Sequence, residues 1–425
     1  MRAGRKLGAL LVGIIAIAIA IAAAASAQTK ATTITIESWR TDDQSIWDTK
    51  IIPAFEKSHP DIKVKFAPTA PTEYNAALSA RLKGGTAGDV VSCRPFDESL
   101  KLYQEGYLAS LNGLSGLSNF GSVAKSAWIT DDAKTTFCVP MASVIHGFIY
   151  NKDAFKKVGI AVPKTEAQFW AALAKIKKDG SYTPLALGTH DQWEAATMGF
   201  QNIGPNYWKG EAGRLALIAG TAKLTDKPYL NTFKSLAKWR PYLPKGASSV
   251  QYADAQNLFT SGRAAIYPAG SWEIAGFTAK AKFKMGAFKP PLPAGQKTCY
   301  ISDHTDIAMG LNAHSKNATA AKTFLTWVAS PEFGSLYANA LPGFFSLQTK
   351  PVSLKDPLAK TFVSWRGQCK STIRNSYQIL SRGNPNLENE LWATSAGVLN
   401  GTMTPAQATS RLQKGLNKWY HPKKK

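Results

Sequence analysis

From Thr33 onward, short runs with strand character alternate with stretches that carry apolar residues at helical spacing, and this alternation restricts the fold more than any other feature of the chain. Thr33 to Trp39 alternates polar and apolar residues as a strand does, and Gln44 to Ser58 repeats its apolar residues with helical period. Ile62 to Phe66 reads as a second strand, Tyr74 to Lys83 as a helix, and Asp89 to Ser92 as a third strand entering a loop at Arg94-Pro95-Phe96. Strands that alternate with helices build βαβ units, so an α/β fold with a largely parallel sheet is expected. Its ligand crevice should lie beyond the carboxyl ends of the strands. Trp39, Asp42, Arg94, Phe96 and Asp97 all fall at such ends.

The run Val144 to Tyr150 is a strand by its Val, Ile, Phe and Tyr content. Asn151 or Asp153 can cap a short helix beginning at Ala154, and Thr165, after Pro163-Lys164, supplies the N-cap of the next. The segment reads as a strand leaving one domain and starting a helix in another.

The N-terminus has the build of an export signal. Arg2, Arg5 and Lys6 precede an uncharged apolar stretch from Leu7 to Ala25, and Ala25-Ser26-Ala27 has the small-x-small form of a cleavage site. The stretch is long enough to compete as a membrane anchor. Its change from Ile-rich to Ala-rich before the cleavage site favours a signal peptide over residues 1–27, and with no Cys following, a diffusible periplasmic protein. Cleavage leaves 398 of the 425 residues, more than one core usually supports, so two domains are expected. Without the leader's three cations the chain holds 48 Lys+Arg against 28 Asp+Glu. Export, scattered lysines and the lack of any nucleic-acid motif argue against a nucleic-acid partner; a solvated basic surface or long-range attraction of an anionic ligand accounts for the charge.

Four cysteines, Cys93, Cys138, Cys299 and Cys369, form no CxxC element, so neither a zinc site nor a thioredoxin-type motif is expected. In an exported protein an even number pairs, and three pairings are open. His304 is one of six histidines and too isolated to suggest a metal; no cofactor is expected.

Further along, several motifs follow one another in a telling order. Gly262-Arg263-Ala264-Ala265-Ile266-Tyr267 precedes Gly270-Ser271-Trp272-Glu273, then Met285-Gly286-Ala287-Phe288 and Pro290-Pro291-Leu292-Pro293. Ile307 to Asn317 is followed by Ala320 to Val328, and Leu391-Trp392 by Met403 to Ala408. Together with the crossover Phe148 to Phe155, this series resembles the carbohydrate-binding family 1 of extracellular solute-binding proteins of ABC importers, the maltose-binding-protein type, over nearly all of the exported chain. The resemblance implies a type II periplasmic-binding-protein fold of two α/β lobes joined by a hinge. Lobe one would comprise 28–143 and 301–340, and lobe two 144–300 and 341–425. It implies a monomer that closes on a carbohydrate, an oligosaccharide being the first expectation, and delivers it to transmembrane permease subunits. On this division Cys93 and Cys138 share lobe one near strands expected to be neighbours, which makes Cys93–Cys138 the first choice of pair and leaves Cys299 with Cys369.

A pyranose presents C–H faces that pack on flat aromatic rings and hydroxyls that need fixed donors and acceptors. Twelve Trp residues are available for such a cleft. Trp272 matches the family's stacking position in the G-x-W element, Trp392 a second one, and Asp97 the carboxylate after the third strand, with Arg94 and Phe96 beside it. Trp193, between Asp191 and Glu194, falls in a polar-aromatic cluster, while Asp303, His304 and Phe344 lie in segments that line the cleft in relatives. Each has a plainer alternative as a cap or core residue; Trp47, Trp170, Trp239, Trp327 and Trp419 sit within helical patterns as core. The chain departs from the maltose type at Cys93, where those relatives carry Trp, and at Val144 after Ser143, in place of a carboxylate. These departures point away from maltodextrin toward another saccharide, with a sugar acid, sugar phosphate, polyol or polyamine as alternatives. An exported glycoside hydrolase would need paired carboxylates, for which Asp42, Asp97, Glu194 and Glu273 are the candidates, yet no catalytic motif accompanies them.

Overall fold

The computed structural model describes residues 31–422; the expected signal peptide lies outside them. Ten strands occur in chain order: β1 (Thr32–Ser38), β2 (Ile62–Pro68), β3 (Val90–Cys93), β4 (Val139–Asn151), β5 (Thr183–Leu185), β6 (Ala264–Gly270), β7 (Met285–Phe288), β8 (Tyr300–Leu311), β9 (Phe345–Ser346) and β10 (Lys370–Thr372). They run in the order β2-β1-β3-β8-β4-β6-β5, with β7 and β9 on β4 and β10 on β8.

The two ends of the sheet are parallel as the alternation predicts: β1 pairs in parallel with β2 and β3, and β5 with β6. Its middle is not. β8 runs antiparallel to β3 and β4, and β4 antiparallel to β6 and β7. The cause is the length of β4 and β8, 13 and 12 residues, against four to seven for β1, β2, β3, β6 and β7. Each is long enough to change partners. Val139 to Ile145 of β4 pairs with β8, while His146 to Asn151 pairs with β6 and β7. The strand expected from Val144 therefore begins five residues earlier, and the chain passes between two halves of the molecule within β4 and again within β8. Phe345–Ser346 pairs with Ala142–Ser143, so the segment just after 341 still belongs to the first half of the sheet.

Local signals place the helices well. Asn151 accepts from the backbone N–H of Asp153 and Ala154 to start helix Lys152–Val158, which Gly159 ends in a left-handed conformation, φ 70°. Thr165 and Gln168 form a capping box for helix Glu166–Asp179, and Thr404 with Gln407 another for Pro405–Leu416. Trp47 and Trp239 are fully buried core residues, as their helical positions imply, and Trp327 nearly so; Trp170 and Trp419 are half-buried.

Both disulfides are present, Cys93–Cys138 and Cys299–Cys369. Cys93 ends β3 and Cys138 immediately precedes β4, and these strands are not neighbours, because β8 lies between them. The bond crosses over Gly310 of β8, where a Cβ would stand 2.9 Å from either sulfur. Only a residue without a side chain leaves room for that crossing.

Candidate functional site

Where β4 and β8 change partners, the two halves face each other across a cavity of about 70 Å³. The first half supplies Trp39 and Arg40 from the end of β1, Pro71 after β2 and Arg94 after β3; β8 supplies Asp306; the second half supplies Trp193, Thr197, Tyr252, Trp272, Arg374 and Trp392. Five residues expected from sequence therefore meet here: Trp39, Arg94, Trp193, Trp272 and Trp392.

Their packing distinguishes walls from platforms. Trp39 is 5% exposed; the Arg94 guanidinium lies 4.6 Å from its ring centroid, held by Asn75 Oδ1 (2.9 Å) and the Pro71 carbonyl (3.0 Å). Trp272 is 7% exposed, and its indole N–H donates to Tyr252 Oη (3.2 Å) and Glu273 Oε1 (3.1 Å). Trp193 and Trp392 keep more surface, both half-buried, with Trp193 edge-on to Tyr252 at 4.8 Å.

Arg40, Tyr252, Asp306 and Arg374 line the cavity without having been expected from the sequence. Arg40 is locked to Asp43 by two hydrogen bonds of 2.7 and 2.9 Å. Arg374 donates to Glu388 (3.2 Å), but its Nε is buried with no protein partner. Asp306 lies within the field of Arg374, Arg40 and Arg94; burial raises its carboxyl above the ordinary range, and the three guanidinium groups oppose that rise. Arg40 had a signal, since it follows Trp39 at a strand end. Asp306 had a weaker one in the returning strand, and Tyr252 and Arg374 had none, because only the tertiary fold brings their loops here.

Behind the cavity lies a buried acidic layer. Glu273 accepts from Tyr252 (2.7 Å), Gln256 (2.9 Å) and Tyr267 (3.3 Å), and burial pushes its carboxyl up to about 7. Glu194 is fully buried, neither oxygen has a protein partner, and burial pushes it up to about 8. Burial thus favours the protonated form of both carboxyls beside Trp272, against which the donors to Glu273 act.

The remaining expected residues lie elsewhere, each for a visible reason. Asp97 bonds to Arg382 (2.6 Å), which also clasps Asp131 with two contacts of 2.9 Å, so it ties the halves together at the edge of the cleft. Phe96, held at φ 60°, packs on Tyr377 at 5.4 Å and faces a second, outer groove of about 570 Å³. Asp303 faces that groove too, saturated by Arg366 (2.8 and 2.9 Å) and Ser371 (2.7 Å). Phe344 is fully buried under Arg40, 5.1 Å from its guanidinium, and has no surface to offer a solute. Asp42 is exposed beside the cleft, near enough for its charge to act on Arg40, Tyr252 and Glu273.

His304 pairs with His146 across the crossing strands, Nε2 to Nε2, at 3.0 Å. The Nδ1 atoms face the carbonyls of Thr305 (2.8 Å) and Thr197 (2.9 Å). Carbonyls only accept, so both Nδ1 atoms carry hydrogen, and a hydrogen bond between the Nε2 atoms requires a third proton on the pair. Burial and the Arg374 cation oppose that proton, holding both rings well below the ordinary histidine range.

Residues 38–334 match the family described as bacterial extracellular solute-binding protein, a span of well over half the chain. The chain belongs to that family. Among curated relatives, the multiple sugar-binding protein of Streptococcus mutans is 23% identical over 388 residues, 88% of this chain and 87% of that one. The mannitol-binding protein of Pseudomonas aeruginosa is 25% identical over 323 residues, 73% and 71% of the two chains. Among solved structures, a bacterial solute receptor with an exclusive preference for β-D-galactopyranose superposes with a TM-score of 0.80 at 19% identity, covering 92% of this chain and all of that one. A binding protein in complex with raffinose gives a TM-score of 0.75 at 21% identity, covering 91% and 99%. The α/β periplasmic-binding-protein fold of the solute-binding family is thus the fold of this chain, and the family's members are receptors, not hydrolases.

Proposed function

We propose that this solute-binding protein captures a carbohydrate between its two halves and delivers it, as an exported periplasmic monomer, to the permease of an ABC importer. The observation that carries the reading is the makeup of the central cavity: aromatic faces from both halves alternate with Arg94, Arg374 and Asp306, the complement of a ring with C–H faces and hydroxyl edges. The sugar- and polyol-binding relatives support it. Trp193 and Trp392 act as stacking platforms against the wall that Trp272 forms, and Asp306, rather than Asp97, is the cleft's carboxylate. The division into lobes follows the partner changes in β4 and β8, with residues 341 to about 349 assigned to lobe one on the evidence of β9.

Size adds a condition. At roughly 10–15 Å³ of such space per water, about 70 Å³ holds a handful of waters, far less than the roughly 300–1,000 Å³ of pockets that bury larger ligands. The arrangement is a closed one, and admission of a sugar requires the halves to separate at the β4–β8 crossing. A polyamine would bring cations against three guanidinium groups and is disfavoured. A sugar acid is the second reading, because Arg94 has no carboxylate hydrogen-bonded to it. A thermal-shift screen followed by calorimetry over neutral sugars, polyols, sugar acids and polyamines tests this: a neutral sugar or polyol should raise the melting temperature, and a response confined to polyamines contradicts the proposal.

A further inference from the structure

The positive charge of the chain is segregated. Residues 31–143 carry 11 Lys+Arg and 13 Asp+Glu, whereas residues 144–300 carry 21 against nine, and 341–425 carry 13 against three. Ion pairing is segregated as well. In the first half Lys63, Lys101 and Lys134 pair with carboxylates at 2.8, 3.9 and 3.7 Å. Among the described residues after 143, the cations in ion pairs with carboxylates are arginines and His190, and no lysine is among them.

Some of these lysines, without a carboxylate partner among the described residues, share one surface. Lys152, Lys156 and Lys157 are exposed on helix Lys152–Val158, and Lys175 and Lys178 on helix Glu166–Asp179. Lys175 Nζ reaches the carbonyl of Gly159 (2.8 Å), the residue that ends the first helix, and the backbone N–H of Lys152 donates to Lys284 (2.8 Å), drawing that loop alongside. The acidic residues within these two helices are few: Asp153 is exposed, Glu166 is taken by Tyr207 and Ser235, and Asp179 is bonded to the Ser181 N–H.

We infer that this lysine face docks on an anionic phospholipid surface and holds the receptor against the membrane that contains its importer, a role that rests on the receptor reading above. Ammonium groups that no carboxylate neutralises suit a diffuse field of headgroup phosphates, even where a neutral oxygen steadies them, as Ser181 does Lys157 (3.1 Å) and the Gly159 carbonyl does Lys175, whereas a shaped protein partner would use the planar, oriented guanidinium groups, which here are consumed inside the molecule. The attraction acts over a Debye length, roughly 8 Å at physiological salt. The first half, with no excess of positive charge, faces away into solution.

Co-sedimentation of the exported chain with vesicles of three parts phosphatidylcholine to one part phosphatidylglycerol, against pure phosphatidylcholine, tests the inference. Binding should be confined to the anionic vesicles and disappear at high salt. The combined variant Lys152→Gln, Lys156→Gln, Lys157→Gln and Lys175→Gln should bind them roughly 100-fold or more weakly, at about fivefold per charge. The charge-matched variant Lys50→Gln, Lys57→Gln, Lys65→Gln and Lys83→Gln, in the first half, should bind as the parent does. No binding to anionic vesicles overturns the inference and leaves an acidic protein as the face's partner; equal loss in both variants overturns it in favour of net charge alone. Calorimetry with sugars reads the receptor function separately: a chain that binds vesicles but no solute would sink that reading and not the surface.

Discussion

Several hollows lie between the halves of this molecule, and the small central one, rather than the large outer groove, has the chemistry of a binding site. The outer groove is about eight times larger than the central cavity, yet its charged groups are mutually satisfied: Arg366 with Asp303, and Arg214 with Glu211. In the central cavity, among the described residues, Asp306 makes no ion pair, Arg374 Nε is unpartnered, and two tryptophans keep open faces. Volume measures how far the halves stand apart; unsatisfied polar groups and flat apolar faces measure what the site was built to hold.

The largest expected effect lies in the acidic layer behind the cavity. Glu194 has a folded pKa of about 8 against an ordinary 4.5. The folded chain therefore keeps a proton that the unfolded chain releases, so stability is full below pH 4.5 and declines as pH rises through about 8. Glu194→Gln should remove that decline, stabilising the protein on the order of 3 kcal/mol at pH 7 relative to its effect at pH 4. Denaturant unfolding at the two pH values checks it, and an equal effect at both would mean that Glu194 is ionised and partnered.

Next in size is Trp193→Ala. Loss of a half-buried aromatic platform should weaken solute binding by about 2 kcal/mol, roughly 30-fold, by calorimetry. Asp303→Asn in the outer groove is its counterpart: it should leave solute affinity unchanged and cost no more than about 1 kcal/mol of stability, since Arg366 is about one-third exposed. A reversed pattern would move the site to the outer groove.

The gap between sequence and site has a physical pattern. Caps and short strands were legible because they depend on neighbours in sequence: Asn151, Thr165 and Thr404 act where their chemistry places them. The aromatic positions were legible through the resemblance in motif order. Asp97 and Phe96 were expected at a strand end and Asp303 in a segment lining the cleft, but whether a side chain turns inward or is taken by a partner depended on Arg382, Tyr377 and Arg366, which lie 60 to 290 residues away in sequence. The antiparallel centre of the sheet escaped for the same reason, since two long strands that change partners look locally like any others.

The smallest expected effect concerns the tie across the cleft. Arg382→Gln breaks its contacts to Asp97 and Asp131, and because the guanidinium is 36% exposed, closure should weaken by no more than about 1 kcal/mol. Small-angle scattering without solute should show a more open average shape, and solute should restore the closed one. An unchanged free-state profile would show that these ion pairs do not hold the halves together.

In the proposed function, solute is gripped in the inner cavity, with Asp306 as its carboxylate. Calorimetric titration of the parent and of Asp306→Asn with the same sugar tests it most directly. The account predicts a loss of at least roughly tenfold in affinity from the missing charge-assisted hydrogen bonds, with the free protein's melting temperature preserved. Equal affinity in the two proteins would contradict it.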